Sequence, residues 1–131
     1  MDFDYIECGN CLDLMKKLQN DSIDLTVTSP PYDNLRDYHG YSFNFEAIAK
    51  ELYRITKPGG VVVWVVNDAT IKGSESGTSF KQALYFKEIG FNLHDTMIWI
   101  KDCGGAIGSN KCYTQNFEYN IYCFQSRRRS L

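Results

Sequence analysis

At 131 residues, with 44% hydrophobic and 23% charged side chains, the chain has room for one domain and the composition of an ordinary globular protein, which excludes disordered and collagen-like classes. A formal charge of -2 and a pI near 5.6 argue against a dedicated basic nucleic-acid module, although a local basic patch can still hold DNA. The acidic start Met1-Asp2-Phe3-Asp4 resembles no signal peptide, and the apolar run Val61 to Val66 is far too short to span a bilayer, so a cytoplasmic protein with no membrane partner is expected.

In chain order, Tyr5 to Glu7 reads as a short strand. Asn10 reads as a helix N-cap, followed by the apolar stripe Leu12, Met15 and Leu18. Ser22 to Thr28 alternates with period two, placing Ile23, Leu25 and Val27 on one face of a strand. Pro30 and Pro31 end it, because neither can donate to a ladder. After a polar and aromatic loop, Asp33 to Tyr41, the positions Phe45, Ile48, Ala49, Leu52 and Tyr53 form one face of an amphipathic helix. Lys57-Pro58-Gly59-Gly60 should stop that helix and turn the chain. Val61 to Val66, β-branched and apolar on both faces, predicts a central buried strand.

Gly73 to Gly77 reads as a loop. Thr78 or Ser79 should cap a helix running to about Ile89, ended by Gly90. Phe91 to Lys101 and Phe117 to Phe124 look like strands. The glycine-rich connection Cys103 to Lys111 between them shows no helix, which predicts an antiparallel pair. The fold class is α/β: a Rossmann-like sheet with parallel strands and a C-terminal antiparallel hairpin.

Five cysteines, Cys8, Cys11, Cys103, Cys112 and Cys123, are an odd number without a secretory signal, so no disulfide framework is expected. Cys8 and Cys11 have C-x2-C spacing, but no second close Cys/His pair completes a zinc site, and His39 and His94 stand alone. Buried or partly buried free thiols and no metal are the expectation. Gly73-Ser-Glu-Ser-Gly77 has Glu75 where a nucleophile elbow needs serine, so hydrolase chemistry finds no support. His94 reads as a structural strand histidine, and Arg127-Arg128-Arg129 as a solvated tail.

The sharpest motif is Thr28-Ser29-Pro30-Pro31-Tyr32, directly after a strand. In open α/β sheets, ligands bind at the carboxyl ends of strands. The prolines fix two φ angles and hold Ser29 extended. A serine hydroxyl and a proline carbonyl then form a stiff acceptor pair beside an aromatic ring. Such a turn suits a planar ligand with an exocyclic amine, held by its N–H groups and stacked on the ring. From these residues alone, a rigid turn whose tyrosine simply packs is an equal alternative.

The runs Glu7 to Met15 and Asp21 to Tyr32 resemble the opening of the β-class DNA amino-methyltransferases, the N4-cytosine and N6-adenine enzymes of restriction–modification systems and prophages. The resemblance continues through Glu51 to Val61 and reaches Phe117-Glu118-Tyr119-Asn120-Ile121-Tyr122, which looks like the family's target-base motif. It implies methyl transfer from S-adenosylmethionine to an exocyclic amine of a flipped DNA base. Ser29, Pro30, Pro31 and Tyr32 would be the catalytic residues: Ser29 and the Pro30 carbonyl accept the amine N–H bonds, and Tyr32 stacks on the base. Phe117 and Tyr119 would contact the base or DNA. No covalent intermediate is implied, since no proline here precedes a cysteine. In this family Ser-Pro-Pro-Tyr leans toward N4 of cytosine, with N6 of adenine the alternative.

Two departures matter. Asn10 stands where family members commonly carry an aspartate on the cofactor's adenine, so it is a cofactor candidate as well as a cap. The family's glycine-rich cofactor loop and its target-recognition region follow these motifs and are not found. Gly104-Gly105-Ala106-Ile107-Gly108 leads into a strand rather than a helix and so lacks the helix N-terminus that such a loop needs. Nor does the Ser-Lys-Gly usual after the last motif follow Phe124. Residues 1–131 are therefore expected to form an incomplete catalytic domain, the target-base half, without methyltransferase activity alone. Its partners would be DNA and a missing C-terminal half, a second subunit or a second copy. Two rival readings remain: a non-catalytic remnant that binds DNA or an intact subunit, and protein-glutamine or RNA methylation through a related Asn-Pro-Pro-Tyr motif. In the latter the cofactor loop precedes the motif, and too little chain stands before Ser29 to hold one.

Overall fold

The computed structural model describes residues 4–31, 43–101 and 116–126. The first element is a short helix, α1 (Cys11–Met15), followed by strand β1 (Ile23–Thr28), helix α2 (Phe45–Ile55) and the long strand β2 (Thr56–Val66). A two-residue pair, β3 (Thr70–Ile71) and β4 (Ser74–Glu75), precedes helix α3 (Thr78–Glu88). Strands β5 (Asn92–Ile100) and β6 (Phe117–Phe124) complete the order. Four strands form one sheet in the order β1-β2-β6-β5. β1 and β2 are parallel, and β6 runs antiparallel to both β2 and β5. The expected α/β sheet with a C-terminal antiparallel pair is thus present, with β6 inserted between β2 and β5.

One face of this sheet carries the core. Val62, Trp64 and Val66 of β2 are buried with Ile121 and Cys123 of β6 against Ile48, Ala49, Leu52 and Ile55 of α2 and Phe86 of α3. Trp64 is the keystone. Its ring meets Phe45 at 5.7 Å and Phe86 at 5.3 Å, and its Nε1 donates to Gln82 Oε1 of α3 at 2.8 Å. Burying an indole this large is favourable only if its N–H finds such a partner. Burial also pushes the Cys123 thiol up to about 12.

The opposite face is uncovered among the described residues. Leu25 and Val27 pair with Val61 and Val63 and so share that face, yet they are 59% and 64% exposed. Met97 and Trp99, pairing with Asn120 and Glu118, extend the same apolar surface and are also about half exposed. Period-two alternation placed Leu25 and Val27 together correctly, but Ile23, expected on the same face, packs against the core cluster, with the β1–β2 register shifting between Ile23 and Leu25. The layer that would bury Leu25 and Val27 is not among the described residues.

Arg54 ties the N-terminal segment to α2. Its guanidinium donates to the carbonyls of Met15 and Leu18 (both 2.9 Å), to Asn20 Oδ1 at 2.7 Å and to Glu51 Oε2 at 2.6 Å.

Four local expectations need correction. Tyr5 to Glu7 is not a strand: no neighbour pairs with it, and Tyr5 and Ile6 are exposed. Helix α2 does end just before Lys57 to Gly60, at Ile55, but the segment is not a separate turn between elements: it is an excursion inside β2. The register passes from Ile23↔Thr56 to Leu25↔Val61, and the loop is pinned by Gly59 N–H to Gln125 O (2.7 Å) and Gln125 N–H to Gly60 O (3.0 Å). Gly73 to Gly77 contributes to a β-hairpin, with Lys72 and Gly73 both at positive φ (49° and 78°), as a two-residue type I′ turn requires. Finally, Gly77, not Thr78 or Ser79, is the N-cap of α3, because the Ser79 side chain is bonded elsewhere.

Candidate active site at the carboxyl edge of the sheet

β1, β2 and β5 all point the same way, so their carboxyl ends and the start of β6 meet at one edge. Thr28, the last residue of β1, pairs with Trp64. Ser29 and Pro30 follow at once. Ser29 is exposed, Pro30 is buried and Pro31 is half-buried. Burial of Pro30 against the strand ends fixes the turn, and its ring leaves the preceding residue little freedom. Tyr32 lies outside the described residues.

Register brings the other candidates to this edge. Trp64 pairs with Ile121 and Val66 with Tyr119, so the turn that follows Thr28 leaves β1 at the same edge of the sheet as Tyr119, with β2 lying between the two strands. Phe117 and Tyr119 meet edge-on at 5.3 Å, and Phe80 of α3 tilts against Tyr119 at 5.6 Å. The Tyr119 hydroxyl is raised above its ordinary value by burial first, then by the Glu75 and Asp68 carboxylates; it is a neutral donor at this edge. An apolar groove of about 230 Å³ runs from Tyr119 along α3 and β5, past Phe80, Leu84 and Leu93. At the far side of the edge, Lys101 pairs with Glu118 and stands 5.1 Å from the Trp99 ring centroid.

Asn10 belongs elsewhere in the local logic. It is exposed, and its side-chain oxygen accepts from Leu12 N–H at 2.9 Å as the N-cap of α1. Cys8 and Cys11 are free thiols but exposed, not buried as expected, because they lie just before and at the start of the short surface helix α1, which buries no residue. Among the described residues no group of three or more His, Cys, Asp or Glu side chains could hold a metal ion. No helix among them is long and apolar enough to cross a membrane. Gly104 to Gly108, His39 and the arginine tail lie outside the described residues.

Two further residues at this edge belong to no recognisable motif. Asn67 and Asp68 directly follow β2. Asn67 Nδ2 donates to Phe117 O at 3.2 Å, bracing β2 to the start of β6. Asp68, only 3% exposed, accepts from Ser76 Oγ (3.0 Å), Ser79 N–H (2.9 Å) and the Ser79 hydroxyl. This carboxylate locks the β3–β4 hairpin and the start of α3 to the carboxyl end of β2. A signal was available in the sequence: a polar pair immediately after six apolar residues, at the strand end where ligands bind.

The family model described as DNA methylase matches residues 23–130. This chain belongs to the DNA methylase family. Among its relatives, the orphan methyltransferase M.BamHII of Bacillus amyloliquefaciens is 70% identical over 98 residues, which is 75% of this chain and 37% of that protein. The fold is shared with a DNA modification methylase of Thermus thermophilus, complexed with S-adenosyl-L-methionine (TM-score 0.74, 22% identity, 94% of this chain and 54% of that one). It is also shared with the cytosine-N4-specific PvuII DNA methyltransferase (TM-score 0.71, 23% identity, 89% and 47%). The chain thus spans about a third to a half of these three proteins. In a DNA methylase, the Ser29-Pro30-Pro31 turn occupies the edge where an open α/β sheet binds its ligands, with the Phe117–Tyr119 pair on the same edge.

Proposed function

We propose that residues 1–131 are the target-base half of an S-adenosylmethionine-dependent DNA methyltransferase that modifies an exocyclic amine, with N4 of cytosine favoured over N6 of adenine. The observation that carries this reading is the Ser29-Pro30 turn at the carboxyl end of β1, on the same sheet edge as Tyr119. An exocyclic amine is a poor nucleophile because its lone pair is delocalised into the ring. The Ser29 hydroxyl and the Pro30 carbonyl would each accept one N–H bond, turning that lone pair out of the π-system. Tyr32 would stack on the extruded base and offset part of the unstacking cost, a few kcal/mol. A hydroxyl accepts more weakly than a carboxylate, and serine at position 29 is the basis for favouring cytosine.

The cofactor, when bound, supplies an electrophilic methyl group. Its complex with the Thermus relative supports this assignment. Among the described residues no glycine-rich strand-to-helix turn provides the helix N-terminus that cofactor binding calls for; Asn10, already engaged as a cap, contributes at most one contact. We therefore assign the cofactor loop to the remainder of the enzyme, supplied by further sequence or by a second subunit. The face bearing Leu25, Val27, Met97 and Trp99, uncovered among the described residues, is where that remainder would pack.

The test replaces the matched region of M.BamHII with this chain. The chimera should transfer tritiated methyl groups from S-adenosylmethionine to DNA, and Ser29→Ala should reduce transfer by about 100-fold or more, the scale of losing a transition-state hydrogen-bond partner. Transfer by the 131-residue chain alone would refute the division into halves. No transfer by a folded chimera would refute the assignment of Ser29.

A further inference from the structure

The β3–β4 hairpin has no role in the reaction just described, yet it stands at the same sheet edge. Both of its two-residue strands are exposed, so among the described residues the hairpin adds nothing to the core and is held at its base. That hold is firm. Ser76 N–H donates to Ala69 O at 2.8 Å, Ser76 Oγ donates to buried Asp68, and Asp68 is tied in turn to Ser79 of α3. The Lys72-Gly73 turn at the tip is the type I′ geometry that gives a hairpin a fixed twist. Asp68 stands two residues beyond Val66, the partner of Tyr119, and it also holds Ser79, next to the Phe80 that packs on Tyr119 at 5.6 Å, which places the base of the hairpin beside the Phe80, Phe117 and Tyr119 cluster. The tip carries a β-branched apolar side chain, Ile71, 62% exposed, immediately followed by an exposed lysine, Lys72. A single exposed isoleucine is ordinary. A stiff one, next to a lysine, on a braced finger at the rim of a base-binding edge, is suited to a duplex that is losing a base.

Resting on the reading of this edge as a DNA site, we propose that the Thr70–Glu75 hairpin is a DNA-contacting finger. Ile71 fills the gap left in the stack when the target base is extruded, and Lys72 contacts a neighbouring phosphate. Apolar side chains of DNA-bending proteins do enter the stack between base steps, and a lysine–phosphate contact adds salt-dependent affinity without sequence preference. Ile71 needs no pocket of its own to do this. It needs only a rigid mount, which Asp68 provides.

The experiment is fluorescence anisotropy of the full chain with a duplex carrying one abasic site and with the intact duplex. The parent should prefer the abasic duplex by about tenfold, because no pair need be broken to open the gap. Ile71→Ala should bring that ratio close to one and Ile71→Leu should retain it. Lys72→Ala should weaken binding to both duplexes alike and lower the salt slope by about one. Circular dichroism of each variant should be unchanged, since both side chains are exposed. If the parent binds DNA and either shows no abasic preference or keeps it in Ile71→Ala, the finger is overturned while the DNA site stands. If the parent binds neither duplex, the DNA reading of this edge falls and the finger falls with it.

Discussion

Replacing Asp68 by alanine should cost more than its place in the turn after β2 suggests. Asp68 is almost fully buried and accepts three hydrogen bonds, two of them from Ser79, itself 2% exposed. In Asp68→Ala the Ser76 hydroxyl can turn to water, but the Ser79 N–H and O–H are left buried without their acceptor. At about 1–3 kcal/mol for each orphaned group, the loss is about 2–6 kcal/mol, a large share of the about 5–15 kcal/mol that holds a typical domain together. Asp68→Asn keeps one oxygen for the Ser79 N–H and can donate its amide to the Ser79 hydroxyl, so it should cost only about 1 kcal/mol. Urea unfolding followed by Trp64 fluorescence is the appropriate assay, because Trp64 Nε1 donates to Gln82 and so reports the docking of α3. In a Ser79→Ala background one of the two orphans is already gone, and Asp68→Ala should cost about 1 kcal/mol less there. Equal midpoints for wild type and Asp68→Ala, or equal costs for the alanine and asparagine variants, would refute this account of the Asp68 network.

Other consequences are more compact. A Cβ at Gly60 would lie 2.8 Å from Thr56 Cγ2, 2.9 Å from Lys57 O and 3.0 Å from Ile23 O, and two of these are backbone. Gly60→Ala should therefore lower stability by about 1–3 kcal/mol, read as a fall in the urea midpoint, whereas Gly73→Asn at the solvent-exposed turn should change it little. Thiol-directed labelling at pH 8 should modify Cys8 and Cys11 in the native chain and Cys123 only after unfolding, since burial holds the Cys123 thiol near 12. The same shift has a sign in stability. The folded state keeps the Cys123 proton where the unfolded state loses it, so its contribution is constant below the ordinary thiol value of 9.0 and falls as pH rises toward 12. Cys123→Ala should remove that alkaline slope in denaturation curves.

The sequence carried the elements whose signals are local and the site whose chemistry is compact. α2 was readable because five apolar residues share one face, β2 because six successive apolar residues are β-branched or aromatic, and the Ser29 turn because two prolines after a strand constrain the chain strongly. The adjacency of β6 and β2 was less accessible: the antiparallel partner of Phe117 to Phe124 was foreseen in β5, but insertion between β5 and β2 depends on tertiary packing of Ile121 and Cys123 against the helices. Lys57 to Gly60 illustrates a different limit. Glycine and proline marked a turn correctly, but the hydrogen bonds to Gln125 that make it an excursion within a strand come from 65 residues further along. Asp68 was missed because an isolated aspartate after a strand has no motif, and its partners Ser76 and Ser79 become legible only once the hairpin is folded.

The most direct test of the central claim is nucleoside mass spectrometry of DNA treated with the M.BamHII chimera and S-adenosylmethionine. The account predicts N4-methylcytosine that disappears in Ser29→Ala and persists in Cys123→Ala. Methylation at a ring carbon, or an amine product formed undiminished by Ser29→Ala, would contradict it.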